Sequence, residues 1–154
     1  MSSEWSVRVD GLRQFAKDLG QIDPDFQKEL KSANLDAATI VRDEALRRAN
    51  ALGGVAALGA KSLRAVGYQR EGSIRAGGRS RAGRVFFGAE YGSLRYHQFK
   101  PWLGNGRDAG YFMWPSIRES ADTVAREYGF AFEKVANRAF PEGRPSHDKN
   151  GRRN

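Results

Sequence analysis

The stretch that most constrains this chain is "DPDFQKELKSANLDAATIVRDEALRRANALGG", residues 23 to 54. Asp23 followed by Pro24 joins a good capping side chain to a proline at the first helical position. From there Phe26, Leu30, Ala33, Ala37, Ile40 and Val41 recur at helical spacing and mark one apolar stripe. The pattern predicts a helix to about Asn50, stopped before Gly53 and Gly54. A helix with one long apolar face has to be covered by other elements.

The flanking sequence supplies the cover. Trp5, Val7 and Val9 alternate with Ser6 and Arg8, which predicts an edge strand. Gly11 breaks it, and Leu12, Phe15, Ala16 and Leu19 follow helical spacing to about Gly20. Residues 51 to 83 hold eight glycines and only scattered apolar anchors (Leu63, Val66, Tyr68, Ile74), so only short strands are expected, around 64–69 and 73–76. A long flexible glycine- and arginine-rich loop is expected from Gly77 to Gly83. "RVFFGAEYG", beginning at Arg84, is aromatic and β-branched between glycines and predicts a core strand, with Val85, Phe86 and Phe87 covering the helices.

"KPWLGNGRDAG" predicts a turn-rich loop, and a second long helix follows. Ser116 and Glu119 have capping-box spacing with Pro115 just outside, and Ile117, Ala121, Val124, Tyr128, Ala131 and Val135 form its stripe. Gly129 within it costs about 1 kcal/mol relative to alanine. The last residues, "PEGRPSHDKNGRRN", carry no apolar side chain and predict a disordered tail. The expectation is an α+β domain over residues 1–140, with two main helices on a small, mostly antiparallel sheet, and a polar tail over 141–154.

Charge is concentrated. Residues 61 to 107 hold ten Lys/Arg against two Asp/Glu, a net of +8, which equals the excess of the whole chain. Arginine supplies eight of those cations, the side chain suited to bidentate phosphate or carboxylate contacts, so a polyanion or an acidic protein surface is the expected neighbour. Arg75, Arg79, Arg81 and Arg84 lie where a glycine-rich backbone can approach phosphates closely, and Tyr91, Tyr96 and Phe99 offer stacking faces. No signature of a base-reading motif accompanies them, so any DNA contact is expected to be blind to sequence.

Catalysis finds little support. The chain has no cysteine, which removes thiolate nucleophiles, thiolate metal sites and disulfides together. His97 and His147 stand far apart, and His97 has no recognisable partner to orient it as a general base. Asp43 and Glu44 are adjacent on a helix and do not face each other. "GAKS" at 59–62 resembles the end of a phosphate-binding loop, but Ala60 separates the glycine from the lysine. No metal-ligand spacing and no cofactor motif are present. No apolar run approaches a membrane span, and "MSSEWSVRVD" lacks the apolar region of a secretion signal, so synthesis in a cytoplasm without a membrane partner is expected.

As an ordered set, four segments resemble a known family, the neck or tail-completion proteins that join head to tail in long-tailed bacteriophages. "VRVDGLRQFAKDL" is similar to the family's opening strand, glycine and short helix, and "FQKELKSANLDAATIVRDEALRRAN" to its long helix. "RVFFGAEYGSLRYHQF" resembles the strand leading into a glycine-and-aromatic element, and "GYFMWPSIRES" the aromatic and proline entry to the last helix. "YHQFKPWLGNG" departs from the pattern, where the family more often has an acidic residue and a Gly-Thr pair.

The resemblance implies a structural virion protein without enzymatic activity or cofactor. It implies a ring, commonly of about six copies, between the head-closure (adaptor) ring and the tail terminator around the DNA channel. On that reading Arg75, Arg79, Arg81 and Arg84 face DNA or an adjacent ring, and Tyr91, Tyr96, Phe99 and Trp102 pack between subunits. The alternative is a basic protein that binds nucleic acid without sequence specificity.

Overall fold

A computed structural model describes residues 2–7, 25–104 and 108–139, together with Gln14, Lys17, Asp18 and Gln21. The described elements run β1 (Ser2–Val7), α1 (Phe26–Leu52), α2 (Gly54–Ala60), β2 (Arg64–Gly67), β3 (Gly72–Gly77), α3 (Arg81–Tyr91) and α4 (Met113–Ala139). The expected α+β class is what the structure has. β3 lies between β1 and β2 and is antiparallel to both, with Trp5 opposite Ile74 and Ile74 opposite Ala65. Both expected strand pieces form, and the Tyr68 amide donates to the Glu71 carbonyl at 2.9 Å to close the turn between them.

α1 buries Phe26, Leu30, Ala37, Ala38, Val41, Ala45 and Ala49, most of the stripe read from the sequence. The alanines are small, so the neighbouring elements come close to this helix. α4 runs antiparallel to α1. Arg48 of α1 pairs with Glu119 near the start of α4, Asn34 meets Tyr128 midway, and Glu29 meets Arg138 at 2.5 Å near its end. Asn34 is fully buried and spans two elements: it accepts the Tyr128 hydroxyl at 2.6 Å and donates to the Tyr68 carbonyl at 2.7 Å.

Several expectations are corrected. "RVFFGAEYG" is not a strand: it lies in α3, which begins at Arg81. Its buried residues, Gly83, Phe86, Ala89 and Glu90, fall at helical spacing, and the Ser80 side chain accepts the Gly83 amide at 3.0 Å as a helix cap. The aromatic run carried a strand-like composition, but it packs its Phe86 against α2, Trp5 and Phe112 as a helix does. The flexible loop expected from Gly77 to Gly83 is therefore a short turn followed by the first turn of α3, and α2 forms in a segment where only short strands were expected.

The start of the second long helix also differs. α4 begins at Met113, so Pro115 lies inside its first turn, where a missing amide hydrogen costs nothing. Ser116 and Glu119 form no capping box: the buried Ser116 hydroxyl donates to the Phe112 carbonyl at 2.6 Å, and Glu119 pairs with Arg48. Within the α4 stripe Val124, Tyr128 and Val135 are buried, Ile117 and Ala131 are half-buried, and Ala121 is exposed.

α1 takes Asp25 as its cap residue, without a side-chain cap bond, and extends to Leu52. The expected cap at Asp23 and Pro24, the continuation of β1 to Val9, and the polar tail over 141–154 lie outside the described residues. The short helix over 12–20 does so too, apart from Gln14, Lys17 and Asp18.

Candidate assembly surface

The most constrained point of the molecule is Glu90, near the end of α3. Its side chain is fully buried, and its carboxylate accepts three successive backbone amides: Phe112 at 3.1 Å, Met113 at 2.8 Å and Trp114 at 3.0 Å. These are the orphan amides at the start of α4, so a carboxylate from a different helix serves as its cap. Burial pushes the Glu90 carboxyl above its ordinary value, while the three amide donors and the charge of Arg118 pull in the opposite direction. The Tyr111 amide adds a bond to the Glu90 carbonyl at 2.8 Å. At Gly110, with φ of +104°, a Cβ atom would strike the Glu90 carboxylate, so only glycine lets the backbone pass.

This junction fixes the two ends of the segment between α3 and α4. The Ser93 amide donates to the Lys100 carbonyl at 2.9 Å, the Leu103 amide to the Tyr91 carbonyl at 2.9 Å, and the Tyr111 hydroxyl to the Pro101 carbonyl at 2.8 Å. The Ser93 hydroxyl accepts the amides of Arg95 and Tyr96 at 3.1 and 3.0 Å. Gly92, with φ of +81°, lies so close beneath the Pro101 carbonyl that a Cβ atom there would collide with it. The backbone of residues 92–104 is thus held in place, yet several of its side chains point outward. Leu94 is 88% exposed, Tyr96 56%, Leu103 47% and Trp102 41%, an apolar set unusual for a free surface.

The four aromatic candidates divide. Tyr96 and Trp102 are exposed. Phe99 is half-buried, its ring lying where a Cβ on Gly88 would come within 2.5 Å. Tyr91 is half-buried and accepts the Trp114 indole N–H at 2.8 Å, with its ring 6.3 Å from that of Trp102. It therefore supports the loop from beneath. Leu94, between Ser93 and Arg95, and Leu103, beside Trp102 in a turn-rich stretch, were not expected at the site, nor was Glu90, whose signal was a single acid inside an apolar run.

The basic candidates divide as well. Arg75 lies in β3, with its guanidinium 5.7 Å from the centre of the Tyr68 ring, bonded to the Tyr68 hydroxyl and 3.5 Å from Glu4. Arg79, Arg81 and Arg84 are exposed and make no ion pair with another described residue. They surround the start of α3, where no acidic residue stands in the first turn. Cations at that end oppose the helix dipole. Along α3 the start of the aromatic loop at Gly92 lies about 12 Å from Arg84 and about 16 Å from Arg81, although the two groups are close in sequence.

His97 is exposed on the loop. Asp43 pairs with Arg42 at 2.7 Å, and Glu44 pairs with both Arg47 and Arg48. The Arg47 hydrogen bond leads the pull that lowers the Glu44 carboxyl to about 2. Among the described residues no group of three or more His, Asp or Glu side chains is arranged to hold a metal ion, and no helix is long and apolar enough to cross a membrane. Comparison with protein families, with characterised proteins and with solved structures found no match to this chain.

Proposed function

We propose that the chain is a structural subunit of the head-to-tail connector, or neck, of a long-tailed bacteriophage. It assembles as a ring of about six copies around the DNA channel, between the head-closure ring and the tail terminator, and its working location is the virion. The observation that carries this reading is the loop over residues 92–104, whose hydrogen-bonded backbone displays Leu94, Tyr96, Trp102 and Leu103 to solvent. Exposed apolar side chains on a pre-ordered backbone lose little entropy on association, which is what a permanent subunit contact needs. Arg79, Arg81 and Arg84 form a second face, at the other end of α3, for DNA or for an acidic surface of a neighbouring ring.

The test is made on particles. The protein should be recovered from purified, DNA-filled virions in low copy number, and removal of its gene should leave filled heads and tails that do not join. Infectious particles that form normally without it overturn the reading. Replacing Arg79, Arg81 and Arg84 together by alanine should impair joining or DNA retention while the subunit still melts normally.

The same three arginines, which make no ion pair with another described residue, favour a second reading, a basic protein that binds duplex DNA without sequence preference. That reading requires affinity for any duplex, falling steeply with salt, and a log–log salt slope that shrinks by about 2.7 when the three are removed.

A further inference from the structure

A groove between α1 and α4 has properties opposite to those of the aromatic loop. The loop, residues 92–104, carries Arg95 and Lys100 and no carboxylate. Their charges lie over tyrosine rings, Arg95 at 5.5 Å from Tyr96 and Lys100 at 5.7 Å from Tyr111, and neither makes an ion pair with another described residue. The groove is open, about 440 Å³ in volume, with Ala33, Ala131 and Phe130 as its apolar lining. Phe130 is 65% exposed.

Two cations also line the groove: Lys28 lies 3.4 Å from Asp25, and Lys134, at 3.6 Å, shares Glu29 with Arg138. Asp36 and Glu127, both exposed groove residues, make no ion pair with another described residue. Among the described residues, one surface thus has exposed apolar groups with two cations outside any ion pair, and the other has exposed apolar groups with two carboxylates outside any ion pair and three carboxylates to two lysines in its lining.

We infer that the loop of one copy seats in the α1–α4 groove of the next, with Tyr96 and Trp102 against Phe130 and with Arg95 and Lys100 facing Asp36 and Glu127. The inference rests on the reading of the chain as a ring subunit and names the two faces that close the ring. The loop joins α4 at Met113, and Phe130 lies about 25 Å further along that helix. A loop tied down at both ends does not cross that distance to reach its own groove. The occupant is a second copy because every copy carries both faces in equal number with opposite charge. A contact between two different faces is heterologous, and it closes into a ring when the rotation between neighbours divides a full turn.

The full chain serves for the test, by sedimentation velocity over a concentration series. Arg95→Glu with Lys100→Glu, and separately Asp36→Lys with Glu127→Lys, should each weaken self-association at least tenfold while leaving the melting transition in place. The variant carrying all four reversals should recover it. Because the chain has no cysteine, Tyr96→Cys and Phe130→Cys can be joined selectively by a short bis-maleimide. The double variant should give a ladder of oligomers, and a mixture of the two single variants should stop at the dimer.

Self-association that both reversals leave unchanged, a fourfold variant no better than either pair, or cross-links that join position 96 to position 96 overturn the pairing. So does a wild-type chain that neither associates nor cross-links. The presence of the protein in virions is measured separately, so failure of this pairing and failure of the neck reading are distinguishable.

Discussion

Glu90 and Met113 are 23 positions apart, and the Met113 amide donates to the Glu90 carboxylate at 2.8 Å. That bond, with its neighbours from Phe112 and Trp114, makes the end of α3 and the start of α4 one structural unit. Residues 92–104 follow directly on the end of α3, so the exposed loop starts from a point held by a side chain that is itself fully buried.

Glu90→Ala is expected to lower the unfolding free energy by about 3 kcal/mol, because three amides at a buried helix start lose a charged acceptor. Glu90→Gln, which keeps the shape and one acceptor oxygen, should cost roughly half as much. Urea denaturation of the full chain measures both. A loss below about 0.5 kcal/mol for the alanine variant would contradict the capping role.

Tyr128→Phe should cost about 1–2 kcal/mol, since it leaves the Asn34 side-chain oxygen buried without its donor. Burial also pushes the Tyr128 hydroxyl up to about 12. A spectrophotometric titration should therefore show a late tyrosine step at about pH 12, and the Phe variant should lack it. A titration from which the Phe variant loses no late step would count against the burial of this hydroxyl.

The Glu44 carboxyl is held at about 2 in the folded chain against an ordinary 4.5, first by its hydrogen bond to Arg47 and also by Arg48. Between those values the unfolded chain binds more protons than the folded one, so stability falls as pH drops through the window. The contribution is fully present above pH 4.5 and lost towards about pH 2. Glu44→Gln should flatten that part of the stability curve, and an unchanged acid limb would show that the arginine contacts do not persist in solution.

Gly92→Ala combines a Cβ atom pressed against the Pro101 carbonyl with a φ of +81° that side chains rarely adopt. A cost of at least about 2 kcal/mol is expected. Gly88→Ala differs, because the colliding atoms belong to the Phe99 ring, which can swing away. It should alter the loop, read as a change in tryptophan fluorescence from Trp102, with a smaller loss in thermal stability. Equal melting temperatures for the two variants would refute this distinction.

Much of the fold was legible locally. The stripe from Phe26 to Val41 located α1 because helical spacing and small side chains leave few other ways to bury it. The two short strands were legible from Val66 and Ile74 between glycines. α3 was not. Val85, Phe86 and Phe87 in succession suit a strand as well as a helix, and a short apolar run carries no periodicity to separate them.

Sequence alone determined the long helices, the short strands, the concentration of positive charge and the absence of thiol chemistry, because composition and spacing between near neighbours are enough to specify these. Tertiary structure alone decided that α3 is a helix, that Glu90 caps α4 in place of Ser116 and Glu119, and that the arginines and the aromatic loop stand at opposite ends of one helix. These outcomes depend on which distant backbone groups and side chains are buried together, and the spacing of residues along the chain does not carry that information.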